Sequence, residues 1–218
     1  MREFDKIYVS WRKGQGSRRH IVGVLEHTAD DKYLFKYEKD AVLKAKEEGF
    51  IPYTEFSDID ATYNSNVLDV FAQRLIKTER PDIQQFYDFW EIEPQFKDDK
   101  FYMLGHTQGL LPTDNFEFLA DYKNIDQLHF LTELAGLTNL QISSTLLKVG
   151  DVLTYELEQT NAYDTKAVVV KKGGTIVGYI KQIHSHIFHG ISSDKIMLTV
   201  KALDKNGIIK RAFVKVQL

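Results

Sequence analysis

A tyrosine and an aspartate stand side by side at Tyr163-Asp164, inside the polar corner Asn161-Ala162-Tyr163-Asp164. The tyrosine offers a flat ring and a hydroxyl; the ionised carboxylate offers only acceptors. At a bend in the chain, such a pair can form a binding corner, with a ring to stack and a carboxylate to accept hydrogen bonds. Asn and Asp at a strand corner also commonly bond their own backbone, and the ring can simply cover a sheet end. The residues alone leave both readings open. Lys166, Lys171, Lys172 and Lys181 are the nearby cations able to approach phosphates, and Tyr179 is a second ring able to stack.

Other groupings carry less chemistry. Gly14-x-Gly16 lacks the further glycine or lysine of a phosphate loop and leads into a strand, so a basic hairpin turn is expected. His184, His186 and His189 include one pair three residues apart, but no third ligand follows at metal-site spacing, and no metal is expected. His106 stands without partners in sequence. No Ser-His-Asp order or carboxylate pair marks a catalytic centre, so no catalytic residue, no cofactor and no enzymatic activity are expected.

The elements that position the corner form a meander from Val149 to Lys181: an alternating strand after Gly150-Asp151, the corner, the apolar run Ala167–Val170, a Gly173-Gly174 turn, and a strand ending at Gly178-Tyr179. A short helix over 184–191 follows, and strands 196–203 and 208–216 close a hairpin across Asn206-Gly207. Upstream, Ile7–Trp11, His20–His27 and Lys32–Tyr37 read as a three-stranded antiparallel meander. Helices are expected over 40–48, from Asn64 or Ser65 through Lys77, and over 83–90. The stretch 52–56 reads as extended, and 101–109 as a strand and turn. Glu93 to Lys100 is polar and marks a boundary. The expected fold class is α+β: a small antiparallel meander with helices (1–95), a connecting and docking segment (96–127), then a compact OB- or SH3-like barrel with one short helix (128–218).

Charge is uneven along the 218 residues. Residues 1–123 hold 17 Lys+Arg against 23 Asp+Glu, whereas residues 124–218 hold 11 against 8. A mildly basic second half is compatible with a polyanionic partner. There are no cysteines, which excludes disulfides and thiol chemistry and fits a reducing compartment. No transmembrane span and no secretory leader are read, so a cytoplasmic location is expected.

Residues 5–92 resemble the small N-terminal subdomain of HipA-type kinases, through Ile7–Trp11, Val22-Gly23-Val24-Leu25, Tyr33–Tyr37, Gly49-Phe50-Ile51-Pro52, and Leu68–Leu75 followed by Arg80-Pro81-Asp82. The kinase core of that family has no counterpart in the sequence. The resemblance implies an antitoxin-like regulator of the toxin–antitoxin kind, docking on a separate HipA-family serine/threonine kinase. From Phe130 onward the chain is similar to a HIRAN domain, through Phe130, Ala135-Gly136-Leu137, Gly150-Asp151-x-Leu153, Glu156 or Glu158, Asn161-x-Tyr163-Asp164-x-x-Ala167-Val168, and Gly178-Tyr179-Ile180. That resemblance implies DNA binding, in particular of a single-stranded 3′ end, with Tyr163 stacking on a base and Asp164 on the terminal hydroxyl. Asn161, Lys166, Tyr179 and Lys181 complete the expected site. Thr138-Asn139 stand where DNA-end-binding members carry Arg-Tyr. The combined expectation is a non-catalytic, two-module binding protein. The alternative is a stand-alone DNA-binding protein of repair or phage defence.

Overall fold

In a computed structural model, which describes residues 3–123, 126–161, 164–192 and 195–218, the chain divides into two units, Met1–Asp121 and Tyr122–Leu218. Each is built on an antiparallel sheet with short helices, so the class is α+β.

In the first unit, β1 (Lys6–Trp11), β2 (His20–His27) and β3 (Tyr33–Tyr37) form the expected meander. Ile7, Val9 and Trp11 alternate into the core, as the period of a half-buried strand demands. After α1 (Lys39–Glu47) come β4 (Thr62–Tyr63), α2 (Val67–Ala72), α3 (Ile83–Trp90), α4 (Lys100–His106) and β5 (Phe116–Ala120). The strand order is β4-β3-β2-β1-β5. Phe35 anchors an aromatic core, with ring centroids 5.1 Å from Phe56 and 5.0 Å from Phe71; Phe71 in turn lies 5.1 Å from Phe118. Gly23 makes this possible, because a Cβ there would sit 2.6 Å from the Phe35 ring.

Three local expectations for this unit are corrected. Residues 101–106 are helical rather than a strand: every one of them is buried, and an apolar run without polar alternation carries no period to tell the two apart. The side chain of Asp99 starts this helix by accepting from the Tyr102 amide at 2.9 Å. Helix α2 ends at Ala72, five residues short of the expected end, where Arg74 and Leu75 bond three residues back and tighten the chain into a turn. Thr54–Phe56 is a 3-10 turn rather than extended. The stretch 96–127 contributes α4 and β5, and β5 pairs with β1 from Ile7↔Ala120 to Trp11↔Phe116.

In the second unit β6 (His129–Glu133) leads to the short helix α5 (Leu137–Leu140). The meander follows as β7 (Val152–Glu158), β8 (Ala167–Lys172) and β9 (Thr175–Tyr179). A 3-10 turn and α6 (Ser185–His189) precede the hairpin of β10 (Met197–Asn206) and β11 (Ile208–Gln217). Its turn is tighter than expected: the strands run to Asn206 and resume at Ile208, with Gly207 alone between them at φ +69°. Phe130, Val168, Val170, Val177, Ile187, Phe188 and Val214 fill the core.

The strand order is β6-β11-β10-β7-β8-β9. A closed OB- or SH3-like barrel was expected, but the sheet is open. Among the described residues its outer strands share no ladder, and the chain just past β6 pairs with β9 only at the isolated bridge Ala135↔Tyr179. The chain turns into α5 directly after that bridge, which leaves no length for a full pairing. No helix among the described residues is long and apolar enough to cross a membrane.

Candidate nucleic-acid interface

The corner between β7 and β8 is organised by one side-chain amide. Asn161 Nδ2 donates to Glu158 Oε2 at 2.8 Å, while Asn161 Oδ1 accepts from the Asp164 amide at 3.1 Å. Asp164 then closes an Asx turn, its Oδ1 accepting from the Lys166 amide at 2.8 Å, and its carbonyl accepts from Ala167 N at 3.0 Å as β8 begins. The local-bonding reading of Asn and Asp at a strand corner is thus realised in full. It uses only one Asp164 oxygen: among the described residues the other makes no hydrogen bond, and Asp164 is half-buried rather than covered. Tyr163 and Ala162 lie outside the described residues.

Tyr179 enters from the far side of the meander. Its backbone exchanges two hydrogen bonds with Ala135, at 2.8 and 3.0 Å. Its ring lies over Gly136, where an added Cβ would meet the ring at 3.1 Å. The preceding Gly178 has φ +148°, and a Cβ there would lie 2.9 Å from Leu134 Cβ. Burial pushes the Tyr179 hydroxyl above its ordinary pKa, and the charge of Glu158 and a hydrogen bond to it add in the same direction. Glu158 therefore bonds the Asn161 amide and also acts electrostatically on the Tyr179 hydroxyl.

The structure brings Asn161, Asp164 and Tyr179 to one place, around Glu158. Lys166 is exposed on the rim, one turn beyond Asp164, and its carbonyl oxygen accepts from His189 if that ring carries its proton on Nε2. Lys181 is 3% exposed, buried at the start of the turn before α6. Lys171 and Lys172 are engaged by Glu156 and Asp151. His184 meets Thr132 Oγ1 at 3.1 Å, and His186 Nε2 lies 2.9 Å from the Tyr122 carbonyl. His106 is fully buried in the first unit, 2.9 Å from the Trp90 carbonyl.

Chemically the corner is an acceptor site beside an aromatic face. Glu158 and Asp164 repel phosphate, and one Asp164 oxygen keeps its acceptor capacity, making no hydrogen bond among the described residues. Sequence reasoning did not find the junction of Tyr179 with Gly136, because it joins segments more than forty residues apart. The part played by Glu158 left a weak signal in its place three residues before Asn161.

No family model and no curated protein matches the chain. Two solved structures are similar to part of it. A protein from Lactobacillus plantarum shares 19% identity over 42% of this chain and 93% of its own, with a TM-score of 0.35. The HIRAN domain of human HLTF shares 16% identity over 41% of this chain and 74% of its own, with a TM-score of 0.32. The resemblance of residues 5–92 to a HipA-type subdomain gains no support from either.

Proposed function

We propose that this chain is a non-catalytic binding protein whose second unit captures the end of a single-stranded nucleic acid, most naturally a 3′ end of DNA, at the corner of Asn161, Asp164 and Tyr179. The observation that carries the reading is the division of labour at Asp164. One oxygen is fixed by the Lys166 amide, and the other, at a half-buried position, makes no hydrogen bond among the described residues. A carboxylate held in this way accepts a sugar hydroxyl without rearranging, and it disfavours a continuing phosphate backbone. The resemblance of Asn161-x-Tyr163-Asp164 to the HIRAN motif supports the same reading and adds Tyr163 as the stacking ring. Lys166 supplies the exposed cation for the penultimate phosphate.

The test is fluorescence anisotropy with a short labelled single strand, comparing wild type with Asp164→Ala, Tyr163→Ala and Tyr179→Ala. The expected loss is about tenfold for each, in line with one stacked base or one charge-assisted hydrogen bond. If all three variants bind as tightly as wild type, the corner is not the site.

A further inference from the structure

The geometry points to a second binding site, in the first unit, for a small amphipathic monoanion. A cleft of about 430 Å³ opens between the end of α2, the turn after it, Tyr87 of α3 and the start of α4. This lies within the range of small-molecule pockets. Its floor is apolar: Tyr87 and Met103 are buried, and Leu75 and Ile76 stand half-exposed along one wall, where an apolar ligand body would cover them.

The rim carries three ammonium groups in a unit that is otherwise acidic. Lys100 is tied to Asp69 at 2.7 Å. The Lys97 ammonium sits 4.5 Å from the centroid of the Tyr87 ring, at the edge of the floor. Among the described residues neither Lys77 nor Lys97 makes an ion pair, so both can receive an anion without breaking an existing bridge. Glu79 and Asp98 share the rim and set a limit. Two carboxylates at the mouth disfavour a polyphosphate or a nucleic acid strand and leave a single carboxylate or sulfonate with an apolar body as the fitting ligand. This site shares no residue with the corner of the second unit.

The chain holds three methionines, Met1, Met103 and Met197, so methyl-labelled methionine gives a direct reporter on the cleft floor and an internal control in the other unit. The full chain is titrated with anilinonaphthalene sulfonate, and separately with neutral N-phenylnaphthylamine. The expected result is a saturable shift of the Met103 methyl signal with Met197 unmoved. The double variant Lys77→Glu/Lys97→Glu should weaken the sulfonate by at least about tenfold and leave the neutral probe nearly unchanged, because only the charged contact is removed. Lys46→Glu, an exposed change elsewhere on the same unit, should affect neither. The lysines changed are exposed or half-exposed, and unaltered melting temperatures confirm that each variant is folded. The proposal is overturned if Met103 does not shift, if Met197 shifts with it, if Lys46→Glu weakens the sulfonate equally, or if the double variant weakens both probes alike.

Discussion

Asn161 uses both ends of its amide, and that fixes the corner more firmly than its exposure implies. The bond to Glu158 and the bond from the Asp164 amide can be made together only with the carbonyl oxygen toward Asp164 and the NH2 toward Glu158. Asn161→Ala removes both, and at about 0.5–1.5 kcal/mol for each net bond the expected loss is about 1–3 kcal/mol of stability, read by denaturant unfolding. Asp151 makes a pH-dependent contribution at the start of β7. Hydrogen bonding from the Lys148 amide at 3.0 Å, then the Lys172 ammonium at 3.0 Å, hold its carboxyl below the ordinary value. A depressed folded pKa means the stabilisation is present above the unfolded pKa and is lost as pH falls through the folded one. The melting temperature of Asp151→Asn should therefore lie below wild type at neutral pH, with the gap closing on acidification below about pH 4. A gap that stays constant into acid would show that Asp151 acts through packing alone.

Elements were legible where alternation, β-branched residues or turn chemistry was strong, as in β1 to β3 and β7 to β9, which are punctuated by Gly14-x-Gly16, Asp30-Asp31 and Gly173-Gly174. Helix α4 was not, since residues 101–106 are buried all round and give no period. The early end of α2 was not legible either, because a distant partner holds the turn beyond it. Arg74, buried after α2, donates bidentately to Asp114 at 2.7 Å and also reaches the Gly109 carbonyl and the Tyr53 hydroxyl. Arg74→Ala leaves these acceptors without their donor and should cost about 3–5 kcal/mol, measured as a shift in the urea midpoint. In the second unit β9 depends on Gly178. Gly178→Ala forces a Cβ against Leu134 at a positive φ, and should cost about 1–3 kcal/mol while displacing Tyr179 from Glu158. The chemical residues of the corner were legible as a string. The seat of Tyr179 over Gly136 was not, because it arises where the chain beyond β6 meets β9, and no local pattern encodes that meeting.

At the scale of the whole molecule, charge is uneven, with an acidic first half and a mildly basic second half. An antitoxin-like docking of residues 5–92 on a HipA-family kinase rests on sequence resemblance alone, and the geometry of the first unit adds nothing to it. The proposed polyanion binding falls to the second unit, and few of its described cations near the corner are open to a strand. Lys166 is exposed there, whereas Lys181 is buried and Lys171 and Lys172 are paired. The salt dependence of binding should accordingly be shallow, and Lys166→Ala should reduce the log–log slope by about 0.7, the value of one single-strand phosphate contact. The second oxygen of Asp164 carries the sharper proposal, that the site reads a terminal hydroxyl. The direct measurement is the affinity of the wild-type chain for one short single strand with a free 3′ hydroxyl and for the same strand carrying a 3′ phosphate. The free end should bind about tenfold or more tightly, through one charge-assisted hydrogen bond gained and one repulsion avoided. Equal affinities for the two strands would contradict the account.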